Sequence, residues 1–196
     1  MKTVKYTSLF IIISFLLISC GGELLPKPKG FLRLEYPKAS YNQMQTDCPY
    51  TFEKNELAVI DPKQNCWMNL EYPALNGTLH LSYVTVNGNL DVLLQDVQKL
   101  TYEHAVKADA IEPTVYENEV QGVYGMVYEV EGNAASQAQF YVTDSTKHFL
   151  TGSLYFNVRP NYDSIFPAVV YIKKDIRTLI ESLKWRDQTQ LCLLEF

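Results

Sequence analysis

Gly122-Val123-Tyr124-Gly125-Met126-Val127-Tyr128-Glu129-Val130-Glu131 decides the fold, together with Val115 to Glu119, Gln137 to Thr143 and Lys147 to Val158 on either side of it. β-Branched and aromatic residues fill these segments, and Gly132-Asn133 and Asp144-Ser145-Thr146 between them are turn residues. Connections this short make antiparallel neighbours, because parallel strands need a crossover of about a dozen residues or more. Tyr124, Met126, Tyr128 and Val130 alternate with Val123, Gly125 and Val127, so both faces of the sheet carry apolar residues and each needs a cover.

Two stretches of helical period supply the covers. Ile165, Val169, Ile172, Ile176, Leu179, Ile180 and Leu183 recur at three- and four-residue steps, which predicts a helix capped near Ser164, with Pro167 inside its first turn and Trp185 after its end. Upstream, Leu90, Leu93, Leu94, Val97, Leu100, His104 and Ala105 form a similar stripe, capped by Asn89, supported by Asp91 and ending near Lys107. Before it, Tyr50 to Val59, Cys66 to Tyr72 and Thr78 to Val84 read as strands, the first two separated by the turn residues Asp61 to Asn65. Cys66, Met68, Leu70 and Tyr72 share one face, while Leu79, Leu81 and Tyr83 point inward and Thr78, His80 and Ser82 outward. The fold class is therefore α+β, an antiparallel β-sheet with two amphipathic helices packed on it. This order of elements resembles the PsbP-like superfamily, whose members are often exported accessory proteins.

The N-terminus sets the compartment. Lys2 and Lys5 precede a ten-residue apolar run, Leu9 to Ile18, too short for a membrane span of ~20 residues. Leu17-Ile18-Ser19-Cys20 closes it as a lipobox, so residues 1–19 read as a lipoprotein signal peptide and Cys20 as the acylated (palmitate-type) N-terminus. Residues 20–30 contain Pro26-Lys27-Pro28-Lys29-Gly30, an extended tether of about 3.1 Å per residue, and residues 31–196 form one globular domain. Removing Lys2 and Lys5 leaves 15 basic against 22 acidic residues, net −7, which argues against nucleic acid as a partner.

Exported chains keep disulfides, and with Cys20 acylated, Cys48, Cys66 and Cys192 remain. Cys48 and Cys66 enclose 17 residues, a loop whose closure stabilises by ~3 kcal/mol, and are the preferred pair. Each also suits a buried small hydrophobe, as does Cys192 in Leu191-Cys192-Leu193-Leu194.

Catalytic and metal motifs are thin. No Gly-x-Ser-x-Gly elbow, phosphate-binding glycine loop or Cys-x-x-Cys occurs, and His80, His104 and His148 lack metal-ligand spacing. No cofactor, metal or catalytic residue is assigned. Asp144 and Ser145 before His148 are explained by a hairpin turn. The mixed arm Phe31-Leu32-Arg33-Leu34-Glu35-Tyr36-Pro37 reads as an edge strand or extended arm and offers Arg33 and Tyr36 as partner contacts. Arg159-Pro160-Asn161-Tyr162-Asp163 offers Arg159 and Tyr162, or serves only as a strand-to-helix connection.

Leu25 to Pro37, Asp47-Cys48-Pro49-Tyr50-Thr51-Phe52, Cys66-Trp67, Lys99-Leu100-Thr101-Tyr102, Lys107-Ala108-Asp109 and Tyr155-Phe156 resemble the gliding-motility lipoproteins named GldD of the Bacteroidetes. The resemblance implies a lipoprotein required for surface gliding and the linked type IX secretion machinery, working with other gliding lipoproteins and envelope proteins. The expectation is a non-enzymatic accessory protein, membrane-anchored by its lipid and facing the periplasm. Different classes are a periplasmic ligand-binding module, signalled by a pocket with convergent polar groups, and a cell-envelope enzyme, signalled by a buried nucleophile beside a base.

Overall fold

Seven strands make the main sheet: β4 (Val59–Pro62), β5 (Met68–Tyr72), β6 (Gly77–Thr85), β7 (Ala108–Asn118), β8 (Val123–Gly132), β9 (Ser136–Thr143) and β10 (His148–Phe156). Their order across it is β4-β5-β6-β10-β9-β8-β7, and every neighbouring pair is antiparallel. Shorter strands β1 (Tyr41–Gln43) and β3 (Glu53–Asn55) pair with each other, as do β2 (Tyr50–Thr51) and β11 (Lys184–Trp185). Helices α1 (Leu90–His104) and α2 (Tyr162–Ser182) complete the α+β architecture. The computed structural model describes residues 36–104, 107–158 and 161–186; the signal and tether segments, Cys20, Arg33, Arg159 and Cys192 lie outside them.

The two faces are covered unequally. α2 buries Ile172, Ile176, Leu179 and Ile180 in the core that holds Leu70, Leu79, Leu81, Phe140, Leu150 and Leu154 of the sheet. At ~1.5–3 kcal/mol per buried aliphatic side chain, that contact is worth on the order of 10 kcal/mol before chain entropy is subtracted. Phe140 lies across Gly152, occupying the place where a Cβ would stand, so strand β10 needs glycine there. α1 reaches β9 through Thr101, fully buried, whose hydroxyl lies 3.1 Å from Oε1 of Gln139. Leu90, Leu93, Leu94 and Val97 of its apolar stripe are only half-buried, and Leu100 is 44% exposed.

Several boundaries differ from the sequence reading for tertiary reasons. Tyr50 to Val59 is not one strand, because the chain changes partner at the buried Phe52: β2 pairs with β11 and β3 with β1. Asp61 and Pro62 belong to β4 rather than a loop; a proline is tolerated because β4 is an edge of the sheet. Cys66 leaves the alternation of Met68, Leu70 and Tyr72, since it ends a 3₁₀ turn (Gln64–Cys66) at φ 59°. Thr78 is buried instead of outward, while His80 is exposed as expected. β7 begins well before Val115 and carries Pro113 within it, again as an edge strand. Pro167 is the sixth residue of α2 rather than part of its first turn, because the helix starts at Tyr162, whose N–H donates to Oδ1 of Asn133 (2.9 Å).

Candidate functional site

Asp175 places a carboxylate on the apolar side of α2, three residues after Ile172 and four before Leu179. It is 4% exposed and, among the described residues, satisfied by hydrogen bonds rather than by a cation: the Tyr41 hydroxyl donates to Oδ1 (2.7 Å), Asn55 Nδ2 to Oδ2 (2.9 Å), and Tyr72 adds a third donor. Burial raises its pKa, and the three donors only partly offset that. The same burial and the carboxylate push the Tyr41 phenol up to about 12 and carry Tyr72 higher still. Asn55 Nδ2 also reaches Tyr171 Oη (3.0 Å), and Tyr171 donates to the Pro37 carbonyl (3.0 Å). The cluster thus fastens β1, β3, β5 and the chain at Pro37 to α2. Sequence reasoning passed over it, although an Asp in register with an apolar helical stripe is the signal that could have found it.

Of the contact residues expected from sequence, Tyr36 and Tyr162 are described. Tyr36 is half-buried with its ring 5.3 Å from that of Tyr171. Tyr162 opens α2, nine residues or about 14 Å of helix from Tyr171, so the structure does not bring the two together. Its ring meets Phe166 edge-on at 5.5 Å, and burial, followed by the charges of Glu131, Glu129 and Asp109, pushes its phenol up to about 12.

Tyr162 also stands at one end of a groove beside α2. One cavity of about 500 Å³ lies between Tyr162, Phe166, Val170 and Glu131. A second, of about 260 Å³, lies between Val115 and Tyr116 of β7, Val127 of β8, and Ile176 and Ile180 of α2. They share Glu129, Lys173, Arg177 and Glu181 as a common wall. Lys173 Nζ sits 3.1 Å from Glu129, and Arg177, with its side chain 72% exposed, lies 4.0 Å from the other oxygen of the same carboxylate. Aromatic and aliphatic walls with an arginine at the rim match the composition of protein contact cores.

His148 and His80 are each engaged by their surroundings. Nδ1 of the buried His148 is 2.8 Å from the Tyr83 hydroxyl, and its ring stacks on Trp185 at 5.0 Å. Oδ1 of Asp144 accepts the backbone N–H groups of Thr146, Lys147 and His148 at 2.8–3.0 Å. Burial would raise the Asp144 pKa, but these bonds outweigh it and hold the carboxyl below its ordinary value. The hairpin reading of Asp144 and Ser145 therefore holds, with Ser145 at φ 64°. His80 Nδ1 lies 2.8 Å from Oδ1 of Asn69, and desolvation lowers its pKa against the opposing charge of Glu71. Cys48 and Cys66 form a disulfide with Cα atoms 5.5 Å apart, and the Tyr50 hydroxyl donates to the Cys66 carbonyl (2.6 Å). Among the described residues no group of three or more His, Cys, Asp or Glu could hold a metal ion, and no helix is long and apolar enough to cross a membrane.

No curated protein matches the chain. A family model described as gliding motility lipoprotein GldD matches residues 21–185, from just after Cys20 to the closing strand β11. That family is linked to gliding motility, and as a lipoprotein family it belongs to the membrane-anchored proteins of the cell envelope. The chain is a member of the gliding motility lipoprotein GldD family.

Proposed function

We propose that the protein is a lipid-anchored accessory and assembly component of the gliding machinery and the type IX secretion machinery linked to it. It faces the periplasm and acts through protein–protein contacts with other gliding lipoproteins and envelope proteins rather than by catalysis. The observation that carries this reading is the groove beside α2, where Tyr116, Tyr162 and Phe166 stand next to Lys173 and Arg177. Lys173 and Arg177 engage Glu129 on the groove's own wall instead of converging on its interior, which favours a protein surface over capture of a small charged ligand.

The test is Tyr162→Ala combined with Arg177→Glu. Both positions lie outside the buried core, so the folded protein should persist at normal levels while gliding and secretion fall sharply. Normal motility in that variant would overturn the assignment of the surface. Lost motility on His148→Ala, with folded protein retained, would move the enzyme reading forward.

A further inference from the structure

Among the described residues β7 is the last strand of the main sheet and pairs along one side only, with β8. It is 11 residues long, and residues 112–115 are exposed without interruption. An open strand of this length presents a row of backbone donors and acceptors, which is a template for adding another strand. The opposite edge is poorer: β4 has 4 residues and ends on Pro62.

Pro113 decides where a strand can add. It stands opposite Tyr128, and a residue without N–H is tolerated there when its nitrogen faces the open side. Because backbone groups alternate along a strand, Val115 and Glu117 share its orientation and turn their N–H groups to that side. The donor-bearing stretch is therefore residues 114–118, beside the cavity lined by Thr114, Val115 and Tyr116. Its charge is of one sign. Asp109, Glu112 and Glu117 lie on β7 and Glu119 follows, with no Lys or Arg between them and no ion pair to any of them among the described residues. A second copy pairing there would set acid against acid, whereas a strand carrying Lys or Arg would be complementary.

We infer that residues 114–118 of β7 are a docking edge for an extended, basic segment of a partner protein, which adds to the sheet as an eighth strand. The inference rests on the reading of the chain as a contact protein, but its test is a binding measurement independent of motility. The probe is a synthetic peptide of about nine residues in which Lys alternates with Val or Thr, the length of an ordinary strand, titrated into the full lipidated chain in detergent. Binding should be saturable and weakened by salt. Val115→Pro, which removes an outward donor and leaves the β7–β8 ladder intact, should weaken it about tenfold, the loss expected for an unmade hydrogen bond. Glu112→Lys with Glu117→Lys should abolish it and decides the question if the proline variant does not fold. Equal binding of a peptide with Glu in place of Lys, unchanged binding by the double charge variant, or a dimer of the protein formed through β7 would each overturn the inference.

Discussion

A buried carboxylate surrounded by phenols and an amide costs more to ionise than one in water, and Asp175 carries that cost at the junction of α2 with β1 and β3. Its folded pKa stands above the ordinary 3.8, so the native state holds the proton more tightly than the unfolded chain does. Its contribution to stability is therefore fully present below that value and is lost as the pH rises through the folded pKa. Urea unfolding at a series of pH values should show the wild type losing stability relative to Asp175→Asn as the pH is raised above 3.8; a difference that grows in favour of the wild type would reverse the sign. Residue-scale legibility was uneven. The Cys48–Cys66 pair followed from compartment and loop length, and Asp144 followed from turn chemistry. Asp175 did not stand out because its partners, Tyr41, Asn55 and Tyr72, are distant in sequence and reach it only through the tertiary fold.

Both helices announce themselves by period, yet period does not say how deeply each is buried. α2 has Ile176 in the core with 2% exposure, whereas Leu94 on α1 is only half-buried. Ile176→Ala should cost ~2–5 kcal/mol of unfolding free energy, as for large-to-small changes in a packed core. Leu94→Ala should cost under about 1.5 kcal/mol, and amides of α1 should exchange with solvent before those of α2. Equal costs by denaturant titration would mean that α1 is as much a part of the core as α2. The strands were legible where turns are local, as in β8 to β10, and blurred where a distant partner decides. Pro113 reads as a barrier to a strand until β7 is seen to be an edge, and the start of α2 depends on the side chain of Asn133, far upstream.

At the scale of the molecule, family membership places the chain in the envelope and links it to gliding, while the sheet and α2 present a groove and an open acidic edge on neighbouring elements, β7, β8 and α2. The α+β class was legible from alternation and period alone. The groove was not, because its walls come from segments distant in sequence, Val115 and Arg177 among them. Of the two described contact residues read from sequence, Tyr162 lies on it, while Tyr36 packs on Tyr171. The most direct measurement is photo-crosslinking in living, gliding cells from a probe residue placed at Arg177, on the groove wall, and at Lys99, exposed on α1. The probe at Arg177 should capture an envelope protein of the gliding or secretion machinery, identified by mass spectrometry, and the probe at Lys99 should not. Normal gliding with no such capture from Arg177, or the same capture from both positions, would contradict a contact function centred on this surface.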